Sequence, residues 1–217
     1  MSTYAFMRWL ESTPSRYDRG MRALSRGRIS AVYDRVAELA AGPGVALLDI
    51  GCGTGGVTLA CAERGAAAVG IDRDAGMLDV AASKPAPAKG SVEWLELGAA
   101  EIEDRFGPET FDAVVSCLAF SEMSPEERTY VLRIARDRLR PGGRMVIADE
   151  VEPEDPGRRL AYRLLRTPVL VITWLLTQTT TRPVHGLTDA VREAGFVDIE
   201  EEHPWPSFVI LSCGRPS

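Results

Sequence analysis

The sequence predicts an α/β domain built on a doubly wound, mostly parallel sheet. Three observations lead to this prediction. Short β-rich runs alternate with helical patterns through the middle of the chain, and a glycine-rich stretch directly follows the first of these runs. Two further strand-like runs lie side by side near the C-terminus, with only a short turn between them, so they are expected to add an antiparallel pair to the sheet.

Five strands are expected in the first part of the chain, over 45–50, 67–71, 92–97, 111–116 and 144–149, and helices should fill most of the intervals. The clearest helix is predicted over 125–139. Ser124 offers a capping oxygen, Pro125 suits the first helical position, and Glu127 stands three residues after the cap. The helix should end at Arg140-Pro-Gly-Gly, where proline and two glycines oppose its continuation.

The remaining boundaries follow from this core. Residues 1–44 are expected to form a helical N-terminal cap, residues 45–149 a cofactor-binding core, and residues 150–186 a helical insertion for a substrate or partner. Residues 187–217 should supply the last helix, over 187–193, and two strands, over 197–202 and 207–213. All four parts are interpreted as one domain.

Composition limits the classes of function. The chain has 217 residues, 45% of them hydrophobic, and is therefore long enough to bury a substantial core. Its net charge of −6 disfavours nucleic acid as a partner, since phosphate binding usually requires a basic excess. Four cysteines without a CxxC pair suggest neither a metal site nor a disulfide framework. With no secretion signal and no apolar run of membrane-spanning length, a cytoplasmic protein is expected.

The glycine-rich stretch LLDIGCGTGG is the main functional signal. Gly51, Gly53 and Gly56 spell G-x-G-x-x-G after a strand, and Asp72 follows 21 residues after Gly51 at the end of the next strand. Glycines let a ligand approach the backbone closely, and an acid in this position accepts hydrogen bonds from ribose hydroxyls. Several nucleoside ligands share these requirements, so the motif does not choose among them.

Asp49 narrows the choice of ligand. A carboxylate two residues before the first glycine would repel a pyrophosphate but would suit a ligand with a positive end. S-adenosyl-L-methionine carries an ammonium and a sulfonium and has no phosphate. A structural role, in which Asp49 only accepts hydrogen bonds from the loop, is compatible with the same ligand.

Four blocks in order, LLDIGCGTGG, VGIDRDAGML, FDAVVSCLAF and LRPGGRMVIAD, resemble the class I S-adenosylmethionine-dependent methyltransferases of the UbiE-like type, over residues 45–149. The resemblance implies a Rossmann-like sheet of seven strands, with the C-terminal pair as the last two. It also implies S-adenosyl-L-methionine as the cofactor and methyl transfer by in-line displacement as the reaction.

The same resemblance assigns the residues at the adenosine and methionine ends of the cofactor. Gly51 and Gly53 would line the methionine moiety, Asp72 would bind both ribose hydroxyls, and Met77 would pack on adenine beside Arg73. Ordinary core packing remains the alternative for Met77.

Three further contacts are implied less directly. The family commonly places an acid directly after the glycine of LGAAEIE, but this chain has Ala99 there, so Glu101 or the backbone near Ala100 would replace it. Ser116 would reach the cofactor carboxylate from the end of the fourth strand. Tyr17 would close over the cofactor or, alternatively, pack.

Candidates for acid–base chemistry are Glu122 and Glu150, at the carboxyl-end rim of the sheet, and His185 in the insertion. Each is alternatively a solvated or structural residue. Soft nucleophiles need no base at all. The basic, apolar pattern over 158–176 suggests contact with a membrane surface, a partner or an apolar substrate.

Four weaker similarities, YDRGMRALSRGR, FSEMSPEER, Asp149-Glu150 and QTTTRPVHGL, resemble the corrinoid-protein-associated methyltransferases. They imply an acceptor linked to a cobalt corrinoid or its carrier protein. Three alternatives stay open: a quinol or natural-product methyltransferase acting on an apolar small molecule, a nicotinamide-dependent oxidoreductase, and a non-catalytic cofactor-binding protein that recognises a partner.

Overall fold

A computed structural model describes residues 27–152, Asp155, Gly157 and residues 183–217. Seven strands form one sheet, and their bounds are β1 Ala46–Ile50, β2 Ala67–Asp72, β3 Ser91–Glu96, β4 Phe111–Cys117, β5 Leu139–Glu150, β6 Val197–Trp205 and β7 Phe208–Gly214. The strand order is β3-β2-β1-β4-β5-β7-β6. Strands β1 to β5 are parallel, whereas β7 pairs antiparallel with both β5 and β6. The predicted fold class is confirmed.

Six α-helices are described, α1 Arg28–Ala40, α2 Gly56–Glu63, α3 Ala75–Ala82, α4 Ile102–Arg105, α5 Pro125–Arg138 and α6 Leu187–Glu193, with short 3₁₀ turns at Ala99–Glu101 and Phe120–Glu122. The cap predicted for α5 is confirmed. The Glu127 amide donates to Ser124 Oγ at 3.2 Å, and the Ser124 amide donates to Glu127 Oε2 at 2.6 Å. This reciprocal pair satisfies two donors that the helix itself leaves unpaired.

The start of β5 differs from the prediction. The strand begins at Leu139, directly after α5, and not at Arg144. Leu139 pairs with Phe111 and Arg144 with Ala113, so the strand carries extra residues that bulge out between these two pairs. Gly142 has φ +73 in this bulge and its amide donates to the Arg215 carbonyl at 3.1 Å. The proline and glycines end the helix as expected but do not prevent strand pairing on either side of the bulge.

Two hydrophobic clusters cover the opposite faces of the sheet. Alternate residues of one strand enter different clusters: Leu48 packs with the α5 and α6 side, and Leu47 with the α1 and α2 side. β4 and the second half of β5, Met145 to Asp149, are buried and separate the two clusters. Because the buried side chains fix the position of the central strands, they also fix which residues lie at the carboxyl ends of those strands.

The topology places a crevice at the carboxyl ends of β1 and β4. From β1 the chain proceeds outward through β2 to β3, then returns to β4 on the other side of β1. Neighbouring strands whose connections leave in opposite directions form the crevice in which open α/β sheets bind ligands. In the described part of the chain, no helix is long and apolar enough to cross a membrane.

Candidate active site

The glycine loop turns sharply between β1 and α2. Gly51, Gly53 and Gly55 all have positive φ, at 72°, 52° and 78°. The amides of Gly51 and Cys52 both donate to the Ile71 carbonyl at 2.9 Å, which anchors the start of the loop to β2. A Cβ on Gly51 would lie 2.5 Å from the Ala119 Cβ, so the loop packs directly against the segment that follows β4.

Asp72 joins the loop from the end of β2. Its Oδ2 accepts a hydrogen bond from the Gly53 amide at 2.8 Å, and its Oδ1 accepts one from the Asp74 amide at 2.9 Å. Each oxygen keeps further acceptor capacity for a ligand hydroxyl. The carboxylate is thus oriented before any ligand binds.

A cavity of about 340 Å³ opens beside this carboxylate, within the roughly 300 to 1,000 Å³ usual for small-ligand sites. It contains seven of the residues predicted from the sequence, namely Gly51, Gly53, Asp72, Arg73, Met77, Ala100 and Glu122. The backbone of Leu97, Gly98 and Ala99 continues the same wall. The structure therefore brings together residues from the ends of four different strands.

A small chamber of about 40 Å³ lies on the other side of the glycine loop. It shares Gly51, Gly53, Cys117 and Leu118 with the main cavity and is lined in addition by Asp49 and by residues of α1 and α2. The two spaces therefore meet along the bare backbone of the loop. Together they suit one elongated ligand that passes from Asp72 to Asp49.

Asp49 supplies the electrostatic character of the chamber. Its side chain is 1% exposed; Thr58 Oγ1 donates to its Oδ2 at 2.6 Å, while its Oδ1 is buried without a hydrogen-bond partner among the described residues. Burial, together with the nearby charge of Asp72, raises the pKa of Asp49 to about 7. A cation that reached this oxygen would satisfy it and stabilise the charged form.

Two predicted cofactor residues, Ser116 and Glu101, line neither the main cavity nor the chamber. Ser116 is buried and its hydroxyl donates to the Ile50 carbonyl at 2.8 Å, so it ties β4 to β1, and Cys117 and Leu118 face the cavity instead. Glu101 Oε2 accepts from the Gly98 amide at 2.8 Å and so caps its own turn, while Ala100 does line the cavity.

The three acid–base candidates are separated by the structure. Glu122 lines the main cavity. Glu150 is half-buried at the end of β5 opposite Phe208 and lines neither space on the glycine loop. His185 is exposed in a second cavity, where its Nε2 lies 2.8 Å from Glu152 Oε2. Tyr17 and residues 158–176 lie outside the described residues.

Several lining residues were not predicted, among them Tyr33, Leu118 and Tyr130. Tyr33 of α1 faces the chamber and packs on Gly56, where a Cβ would come within 2.5 Å of its ring. Leu118 has φ +61, a rare conformation for a residue with a side chain. Tyr130 of α5 donates to Glu103 Oε1 at 2.7 Å. Of these, only the approach of Tyr33 had a signal in the sequence. Gly56, the last glycine of the motif, indicates that another element packs closely against that position.

The chain is similar to known methyltransferases over the part that contains the glycine loop and Asp72. Residues 47–143 match the family model described as a methyltransferase domain. The chain is 36% identical over 102 residues to a ubiquinone biosynthesis O-methyltransferase of Pseudomonas fluorescens (strain SBW25), covering 47% of this chain and 43% of that protein. It is 33% identical over 162 residues to the ubiquinone/menaquinone biosynthesis C-methyltransferase UbiE of Syntrophotalea carbinolica, covering 71% of this chain and 65% of that protein.

Among solved structures, a SAM-dependent methyltransferase from Archaeoglobus fulgidus matches with a TM-score of 0.68 at 17% identity, over 91% of this chain and 99% of that one. At this identity the likeness concerns the fold alone. The family match and the relatives identify residues 47–143 as a methyltransferase domain, and the fold and the site are those of the class I, S-adenosylmethionine-dependent kind. The methyltransferase domain lies at residues 47–143, and the chain spans less than half the length of the first of these relatives.

Proposed function

We propose that this protein transfers the methyl group of S-adenosyl-L-methionine to a small, largely apolar acceptor. One observation carries the proposal more than any other. The glycine loop lies between Asp72, a carboxylate that can bind hydroxyls, and Asp49, a buried carboxylate with one oxygen that has no partner among the described residues. Hydroxyls at one end, a cation at the other and no phosphate between them describe this cofactor.

The donor site assigns a task to each group. Asp72 accepts hydrogen bonds from ribose hydroxyls, and Met77 packs with the backbone of 97–100 around adenine. Gly51 and Gly53 let the methionine moiety approach the loop, and Asp49 attracts its ammonium. When bound, the cofactor supplies an electrophilic methyl group on a sulfonium. The contribution of the protein is to align donor and acceptor and to exclude water.

The acceptor side of the main cavity supports an apolar molecule with an ionisable group. Leu118, Met123 and Val131 provide apolar walls, and Glu122 is the acid beside them. We assign Glu122 the role of accepting a proton from an acceptor hydroxyl. The two curated relatives named above act in ubiquinone or menaquinone biosynthesis, which favours a quinol-type acceptor for this chain.

The corrinoid-linked acceptor stays a prediction. Of the four stretches that suggested it, FSEMSPEER and Asp149-Glu150 are described, whereas the N-terminal stretch and most of QTTTRPVHGL lie outside the described residues. A purified corrinoid carrier protein therefore belongs in the acceptor panel.

The experiment is a transfer assay with methyl-tritiated S-adenosyl-L-methionine. Acceptors are catechol and a short-chain quinol, with a thiol, a corrinoid carrier protein and an unrelated protein for comparison. Label is expected in the quinols, and Glu122→Gln should lower kcat about 10²-fold or more, the usual scale of general base catalysis. Label in the corrinoid carrier alone, or in no acceptor while the cofactor binds tightly, would contradict the proposal.

A further inference from the structure

The segment that follows β4 forms one wall of the proposed acceptor side. Leu118 turns the chain with φ +61, Ala119 then packs on Gly51, and Phe120 is fully buried. Glu122, at the end of the turn, faces the cavity. We call residues 118–122 the acceptor wall. Its strained turn persists only because surrounding contacts hold it.

The tip of β5 supplies two of these contacts. The Leu118 amide donates to the Ala148 carbonyl at 2.8 Å, and the Ser121 amide donates to Asp149 Oδ2 at 3.1 Å. Asp149 is completely buried, and its other oxygen accepts from the Glu150 amide at 2.7 Å. Both of its oxygens are therefore engaged with backbone, one in the wall and one in β5.

Joining two backbone segments through a buried carboxylate costs free energy, because burial destabilises the charged form. That penalty raises the pKa of Asp149 to about 6. The charge of Glu150 on the same strand contributes to this rise, and Cys117 on β4 is the other titratable group within the electrostatic reach of Asp149 among the described residues. Asp149 lines neither the main cavity nor the chamber, so ligand contact does not explain it.

We infer that Asp149 is a positioning residue for the methyl transfer. Its carboxylate fixes the Ser121 amide and so sets the acceptor wall, with Leu118 and Glu122, against the glycine loop. The inference rests on the proposed function.

The same carboxylate also connects the wall to the base of the insertion. The Glu150 carbonyl accepts from the Val184 amide at 3.0 Å, and Val151 and Val184 form a bridge. The hydrogen bonds run from Val184 through Glu150 and Asp149 to Ser121. Asp149 thus occupies the point where β5 meets both the wall and the insertion.

The test compares the wild-type protein with Asp149→Asn, which keeps the shape but turns one acceptor into a donor facing an amide. Ser212→Ala is the matched control, since Ser212 is a buried polar residue on the neighbouring strand β7, away from the wall. Three quantities are measured: hydrogen exchange of the Ser121 amide, the Kd for S-adenosylhomocysteine, and kcat with catechol.

In Asp149→Asn we expect the Ser121 amide to exchange about tenfold faster or more, as for a lost hydrogen bond of about 1.4 kcal/mol. We expect the Kd for S-adenosylhomocysteine to change less than about threefold, and kcat to fall with little change in the KM of the donor. Ser212→Ala should leave the exchange rate of the Ser121 amide, the Kd for S-adenosylhomocysteine and kcat near their wild-type values. Unchanged exchange at Ser121, or equal losses of cofactor affinity and kcat, would overturn the inference.

Two arms keep the inference testable in other cases. If Asp149→Asn does not fold, the wild-type Ser121 amide should lose protection between pH 7.5 and pH 5, after correction for intrinsic exchange. Constant protection over that range would then overturn it. If the wild-type protein transfers no methyl group to catechol, the proposed acceptor fails, and the exchange and affinity measurements decide the inference alone.

Discussion

Asp49 combines complete burial with a carboxylate oxygen that has no partner among the described residues. Burial destabilises the ionised form of this carboxylate in the ligand-free protein, and the pKa of Asp49 is therefore raised to about 7. Natural proteins keep features of this kind mostly at functional sites. Two predictions follow from this residue, one for ligand binding and one for stability.

The affinity for S-adenosylhomocysteine should depend on pH. Its ammonium prefers ionised Asp49, and ionisation is lost as the pH falls below about 7. Calorimetric Kd values should therefore rise about tenfold between pH 8 and pH 6, the change expected for a single titrating group. Adenosine, which lacks the ammonium, is the matched control. Equal pH dependence of the two ligands would show that Asp49 does not meet the cation.

Asp49→Asn should stabilise the ligand-free protein at alkaline pH. The folded-state pKa lies above the ordinary value of 3.8, so the contribution of Asp49 is fully present below about pH 4 and is lost as the pH rises through 7. Asparagine stays neutral, so the free energy of unfolding should be higher by on the order of 1 to 3 kcal/mol at pH 8. The difference should shrink at pH 5. If Asp49→Asn were less stable than the wild-type protein at pH 8, the buried charge of Asp49 would not destabilise the ligand-free protein as proposed.

Asp72→Ala should weaken cofactor binding by roughly 1.5 to 3 kcal/mol, the scale of hydrogen bonds to a charged group. The control is Asp112→Ala. Asp112 also accepts from a backbone amide, that of Ala46 at 2.9 Å, but it lies near the start of β4, at the opposite end of the sheet. Calorimetry with S-adenosylhomocysteine should separate the two variants. Equal affinities would mean that the ribose binds elsewhere.

At the scale of elements, the glycine loop depends on its fit to the acceptor wall. Gly51→Ala should destabilise the protein by more than Gly142→Ala, although the two glycines have nearly the same φ, 72° and 73°. A Cβ at position 142 meets nothing within 4 Å, whereas one at position 51 meets Ala119 at 2.5 Å. Gly142→Ala should cost about 1 to 2 kcal/mol, the left-handed penalty alone. Denaturant unfolding of both variants measures how much more stability Gly51→Ala loses than Gly142→Ala. Equal losses of unfolding free energy would show that the acceptor wall moves away from the added Cβ at no cost.

The elements were predictable where local chemistry decides them. The capping box at Ser124 and Glu127 identified the start of α5, and the buried β-rich runs identified the central strands. The start of β5 was not predictable, because Leu139 joins the sheet through a bulge that depends on its partner Phe111. Tertiary pairing decides that boundary.

The candidate site shows the same division. Asp49, the glycines and Asp72 follow from a contiguous motif and one fixed spacing. Ser116 did not prove to be a lining residue, because the turn at Leu118 rotates the next residues, and not Ser116, toward the cavity. Tyr33 and Tyr130 reach the site from helices whose docking no local pattern reveals. In the sequence Asp149 is marked only as part of the dipeptide Asp149-Glu150, because its contact with Ser121 exists only in the fold.

At the scale of the whole molecule, the strand order explains why these residues meet. β1 lies between β2 and β4, so the loop after β1, the acid at the end of β2 and the wall after β4 converge on one crevice. The tip of β5 contacts the wall from the neighbouring strand position, and β7 and then β6 continue the sheet beyond β5. The proposed cofactor site is thus built by the segments at the carboxyl ends of the central strands.

The central claim is that this crevice takes a cationic, phosphate-free nucleoside. Calorimetric titration of the same preparation with S-adenosylhomocysteine and with NADH tests it most directly. We predict stoichiometric binding of S-adenosylhomocysteine, weakened by Asp72→Ala and by Asp49→Asn, and no measurable binding of NADH. Binding of NADH without S-adenosylhomocysteine would contradict the account and would identify the chain as a nicotinamide-dependent protein.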